Sequence, residues 1–152
     1  MSAFLFLDSG PLGLLTHPQR SAEVIAVTEW LSRCLLNGSR AIVPAIVYYE
    51  LKRELPRARK NVGAARLDAF VAAIPQRYLP LTDEALRLAA ELWSKSRQKG
   101  RQTASHGALN IDVIVAAQAL SFETDLSGVT VATTNPKHLA QFVNAKNRVE
   151  IV

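Results

Sequence analysis

Residues Ala3-Phe-Leu-Phe-Leu7 form an unbroken apolar run, closed at once by Asp8-Ser-Gly-Pro11. A run this short between turn-forming residues fits a strand buried on both faces, as in a parallel sheet covered by helices. Ala41–Val43 and Val129–Thr133 read as further strands. Arg77–Leu81 reads as an edge strand, since Pro80 has no amide to donate, and Val149–Val152 as a closing one. Helical segments lie between. After a loop, Ser21 caps a helix to about Leu36 that is stopped by Asn37-Gly38, with Val24, Val27, Trp30, Leu31, Cys34 and Leu35 on one face. Pro44 stands in the first turn of the next helix, Ala45–Leu55, which ends before Pro56. Asn61–Ala73 makes a third, and Thr82 with Asp83 and Glu84 opens a fourth that reaches Gln98 and finishes at Gly100. Arg101–Asn110 reads as a loop, Ile111–Phe122 as a buried helix apolar on nearly every side, and Pro136 opens a short helix to about Phe142. The alternation predicts an α/β sandwich with a central, mostly parallel sheet flanked by helices, one domain over residues 1–152.

Composition narrows the class. The chain is 49% hydrophobic and 20% charged, too apolar for a disordered segment and long enough to bury a core without staples. A single cysteine, Cys34, excludes an intramolecular disulfide framework and any multi-cysteine metal site. No stretch approaches the roughly 20 apolar residues of a membrane span. The first eight residues lack a basic flank and carry Asp8 inside the apolar run, unlike a signal peptide, so a cytoplasmic location is expected. Lys and Arg outnumber Asp and Glu by 18 to 13, a net +5 that favours a polyanionic partner such as nucleic acid. His17, His106 and His138 show no paired zinc spacing; Gly10-Pro-Leu-Gly13 lacks the Lys-Ser/Thr ending of a phosphate loop; Ser9 has no nucleophile elbow. A phosphotransfer domain using Asp8 as nucleophile would want a second acid two residues on, where Gly10 stands.

Ligands of an open parallel sheet collect at the carboxyl ends of its strands. Asp8 follows the first strand directly, Asn135 follows Thr133 and Thr134 beyond another, Asp112 opens the buried helix, and Glu50 lies in the helix after the second strand. Carboxylates drawn into such apolar surroundings are costly unless something positive offsets them, and hard cations such as Mg²⁺ or Mn²⁺ bind oxygen donors while leaving room for a phosphate. Each acid also has a plain structural reading: Asp8 capping the turn, Asp112 as an acid at a helix start, Glu50 and Glu54 paired in water with Lys52, Arg53 or Arg57. Asp125, about 20 Å further along a helix than Asp112, is too far to share a site with it.

Phe6-Leu-Asp8-Ser9, Pro44-Ala-Ile-Val-Tyr-Tyr-Glu50-Leu, Asp112-Val-Ile-Val-Ala-Ala-Gln-Ala119 and Val131-Ala-Thr-Thr-Asn135-Pro-Lys-His-Leu139 resemble, in order and spacing, the successive motifs of PIN domains, in particular the VapC-like group of type II toxin–antitoxin systems. The resemblance implies a PIN-like three-layer sandwich and a metal-dependent endoribonuclease using Mg²⁺ or Mn²⁺. In that reading Asp8, Glu50 and Asp112 are catalytic and hold the metal, Glu50 directly or through water, with Ser9 and Thr133 in support. The fourth position, often Asp, is Asn135 here, a neutral and weaker ligand that argues against a second tightly bound metal. It also motivates an alternative, a PIN fold with weak or lost catalysis that binds RNA or protein. Arg57, Arg59, Lys60, Arg97, Lys99 and Arg101 are candidates to hold an RNA backbone, or else simply solubilise the surface. Looped or single-stranded RNA suits an open acidic cluster better than a duplex does. The resemblance further implies a cognate antitoxin and a homodimer, for which helix faces bearing Trp30 or Leu35 could supply the surface.

Overall fold

The computed structural model describes residues 3–57, 61–98, 106–122 and 128–151. The opening apolar run is strand β1 (Phe4–Leu7), followed by helices α1 (Ser9–Leu15) and α2 (Ala22–Leu36), strand β2 (Arg40–Pro44), helices α3 (Ala45–Arg57) and α4 (Asn61–Ala72), and the two-residue strand β3 (Tyr78–Leu79). Then come α5 (Asp83–Gln98), α6 (His106–Leu120), β4 (Val129–Ala132), α7 (Pro136–Leu139) and β5 (Ala145–Lys146). The strands form one sheet in the order β3-β2-β1-β4-β5, every pairing parallel. β1 is therefore the central strand, which is why Leu5, Phe6 and Leu7 are all buried and no position in the run is polar.

Both faces of the sheet are covered. Phe4 and Phe6 meet the ring of Phe122 edge-on at 5.0 and 5.3 Å, below the carboxyl end of α6. α6 itself is buried on most sides, as expected of its composition: Val115, Ala116 and Ala119 join the sheet core, while Val113 and Ala117 pack with Ala85 and Ala89 of α5. Val24, Val27, Trp30, Leu31 and Cys34 are the buried face of α2, and Ser21 caps that helix by accepting from the Val24 amide at 3.2 Å. Thr82 caps α5 in the same way through the Ala85 amide. Gln118, 1% exposed, ties three elements: its carbonyl accepts from the Ile46 amide at the start of α3, and its amide donates to Leu79 and Pro80 at the end of β3.

Several boundaries differ from the sequence reading. Ser9–Leu15 is a helix rather than a turn and loop; Pro11 falls in its first turn, where amides have no intrahelical partner. Pro44 ends β2 instead of starting α3, and α3 continues through Pro56 to Arg57, placing the missing amide in the last turn. α6 begins at His106, so 106–110 are helix rather than loop and Asp112 lies nearly two turns inside the helix rather than opening it, while 101–105 of the expected loop lie outside the described residues. The last strand is Ala145–Lys146, not Val149–Val152; Val149 is 76% exposed within a 3₁₀ turn, Arg148–Glu150, capped by Asn147. Trp30, 3% exposed, donates its indole N–H to the Ile151 carbonyl at 3.1 Å and is not an exposed dimer surface. Gly100 lies outside the described residues. No helix among the described residues is long and apolar enough to cross a membrane.

A carboxylate cluster at the carboxyl end of the sheet

The chain leaves β1 toward β2 on one side, while β4 lies on its other side, so the crevice above β1 and β4 is where the strand order reverses. Asp8 and Thr133 are the first residues beyond those two strands. The Asp8 amide continues the sheet pairing onto Ala132 at 3.0 Å, which fixes where its side chain leaves the backbone. Thr133 Oγ1 donates to Asp8 Oδ2 at 2.8 Å and accepts from the Asn135 amide at 3.1 Å. Asp8 occupies the N-cap position of α1, yet its side chain makes no capping hydrogen bond there. Its carboxylate is turned to Thr133 and also draws on the Ser9 amide.

Glu50 and Asp112 arrive from α3 and α6. The Ser9 hydroxyl hydrogen-bonds the Glu50 carboxylate, while Glu50 Oε1 is buried with no hydrogen-bond partner. Asp112, 17% exposed, faces His138 of α7, with Oδ2 3.7 Å from Nδ1. The three acids feel one another. Burial raises all three pKa values first; the Asp8 charge then raises those of Glu50 and Asp112, and Glu50 adds to Asp112. The Thr133 hydrogen bond pulls Asp8 back down, Ser9 does the same for Glu50, and His138 for Asp112, which nonetheless stands at about 6.

Gly10 sets the spacing of this rim. A Cβ there would stand 2.6 Å from Thr134 Cγ2 and Oγ1, so any side chain at this position would have to displace Thr134. Asn135 is exposed and N-caps α7 without a side-chain hydrogen bond. Of the basic candidates, Arg97 lies over the Trp93 indole at 5.3 Å. The Arg57 side chain and Arg59, Lys60, Lys99 and Arg101 lie outside what the structure describes. Sequence reasoning weighed His138 only as a zinc ligand and Gly10 only as part of a phosphate loop or the place of a second acid, so it gave neither a part at this rim.

The donor set, three carboxylates of which Glu50 keeps one buried oxygen unpartnered, suits a hard divalent cation. The side chains are near neighbours without being converged: among the described residues, no three His, Cys, Asp or Glu groups stand in a metal-holding arrangement.

No protein-family model and no curated protein matches the sequence. Solved structures do. FitAcB from Neisseria gonorrhoeae superposes with a TM-score of 0.70 at 23% identity, over 97% of this chain and 99% of that one. VapBC-1 from nontypeable Haemophilus influenzae gives 0.67 at 13% identity, over 96% and 98%. VapBC2 from Rickettsia felis, bound to a DNA fragment from its promoter, gives 0.65 at 16% identity, over 95% and 98%. At these identities the likeness establishes the fold, a PIN-like α/β sandwich.

Proposed function

We propose that the chain is a Mg²⁺- or Mn²⁺-dependent endoribonuclease and the toxin of a two-protein toxin–antitoxin pair. What supports this reading is the set of Asp8, Glu50 and Asp112 from three separate elements, where the Asp8 charge raises the pKa of the other two, together with Glu50 Oε1 buried and unpartnered. The shared fold with VapBC and FitAB structures supports it.

Each acid has its own support. Asp8, oriented by Thr133, and Asp112, flanked by His138, would supply oxygens to a cation, with Asn135 as a weak further ligand. Glu50, held on one side by Ser9 and with Oε1 lacking a protein partner, would bind the cation directly or through water. When bound, the cation supplies charge neutralisation, polarises the phosphate and lowers the pKa of a coordinated water. The test is cleavage of single-stranded RNA with Mg²⁺ or Mn²⁺, which EDTA and Asp8→Asn should each abolish while the circular dichroism spectrum is unchanged. Cleavage that persists in EDTA would refute it.

Two features favour a second reading, a PIN fold that binds RNA or protein without cutting: neutral Asn135, and carboxylates that are not converged. Calorimetric titration with Mn²⁺ separates the readings, because a non-catalytic site binds little or none. The proposed homodimer draws on α2, where Leu36 is 86% exposed beside Leu35; light scattering gives its mass.

A further inference from the structure

A ribonuclease site built of three acids repels its own polyanionic substrate, so a cation beside it must hold the RNA backbone until metal and phosphate meet. α3 carries one. Arg53 lies three residues after Glu50 and four after Tyr49, so its side chain neighbours each of theirs on the helix surface. Its guanidinium lies over the Tyr49 ring at 5.4 Å from the centroid, and its charge lowers the Glu50 pKa. Its ion pair with Glu54, at 3.6 Å, is too long for a hydrogen bond. Among the described residues the guanidinium makes no other polar contact, and the side chain is 46% exposed. Lys52, one residue earlier, is by contrast committed to Asp68. Tyr49 is 55% exposed although nothing in the core requires an aromatic ring at that place.

We propose that Arg53, laid against Tyr49, is a phosphate-binding residue that grips single-stranded RNA next to the Asp8–Glu50–Asp112 rim, with the exposed part of the Tyr49 ring as a surface for the adjoining base. The assignment rests on the ribonuclease reading and adds a substrate contact to it. A planar guanidinium presents paired donors to a phosphate, and stacking on a ring restricts the rotation that binding would otherwise have to freeze. Aromatic rings beside cations are the usual platform for unpaired strands.

The test measures fluorescence anisotropy of a labelled single-stranded RNA of about 12 nucleotides, in EDTA so that nothing is cut, over a series of salt concentrations. Arg53→Ala should weaken binding about 5- to 10-fold and reduce the slope of log K against log salt by about 0.7, the signature of one lost phosphate contact on a single strand. Arg53→Lys should keep the slope and bind a few-fold more weakly for want of the fork. Tyr49→Ala should weaken binding with the slope nearly unchanged. Both side chains are about half exposed, so the fold survives these changes. If Arg53→Ala binds like the parent with the same slope, Arg53 merely braces Glu50 and Glu54 and the proposal fails. If either alanine variant instead halves the mass seen by light scattering, the pair belongs to an interface between copies and the proposal fails too. A parent protein that neither binds nor cuts RNA overturns the ribonuclease reading, and the assignment with it.

Discussion

Replacing Asp112 with Asn should make the protein more stable at neutral pH, contrary to the usual effect of altering a partly buried polar residue. Asp112 is 17% exposed and its pKa is pushed from 3.8 to about 6, first by burial and then by the charges of Asp8 and Glu50, with His138 opposing. An acid whose pKa is higher folded than unfolded binds more protons in the native state across that interval, so stability falls as pH rises from about 4 to 6 and is level above. The gap of about two units, at about 1.4 kcal/mol each, amounts to about 3 kcal/mol for keeping the group ionised at pH 7. Asn carries no charge and escapes that cost, although it gives up the attraction of His138, so about 3 kcal/mol is the upper end. In a chain of 152 residues this corresponds to a rise in Tm of up to about 6–12 °C. Thermal melts of both proteins in EDTA from pH 4 to 8 measure it. The advantage of Asn should be full at pH 7, shrink through pH 5 and vanish near pH 4. Mn²⁺ should then raise the Tm of the parent and not that of the variant. An Asn variant less stable than the parent at pH 7, or a difference that does not change with pH, would refute the reasoning.

Three further outcomes can be checked by urea denaturation. Gly10→Ala forces the Thr134 side chain away from a 2.6 Å contact and should cost about 1–3 kcal/mol, with a further loss of cleavage because Thr133 and Asp8 move with that loop. Gln118→Leu leaves the Ile46 amide and the Leu79 and Pro80 carbonyls unpaired, and should cost about 2–4 kcal/mol without altering the acids. Thr133→Val removes the one side-chain hydrogen bond that lowers the Asp8 pKa, so Asp8 should titrate higher still by NMR, and stability should fall by about 1–2 kcal/mol.

The central strand and the helix faces were legible because burial leaves a period: an unbroken run for β1, and spacings of three and four for the face of α2 that holds Val27 and Leu31. Asp8 stood out because it follows an unbroken apolar run directly, whereas Thr133 was read as the end of its strand and owed its supporting role to the resemblance to PIN domains. What escaped the sequence was fixed by partners distant in the chain. Ala145–Lys146 has no strand propensity; it becomes β5 because the Val131 and Thr133 amides need acceptors and find the Asn144 and Lys146 carbonyls. Val149 has the propensity and no ladder to join. α1 was hidden by Gly10 and Pro11, which break a helix in its interior but not in its first turn. Gln118 looked like one polar residue in an apolar helix, and nothing near it in sequence reveals the three backbone groups it serves.

The place of β1 in the sheet sets a timetable for synthesis. Phe4 pairs with Arg40 on one side and Val129 on the other, so a wholly apolar strand leaves the ribosome long before its second neighbour exists. At common elongation rates that interval is about 6–25 seconds, during which four large apolar side chains are only half sheltered. A nascent chain stalled before residue 129 should accordingly recruit chaperones that the released protein no longer needs.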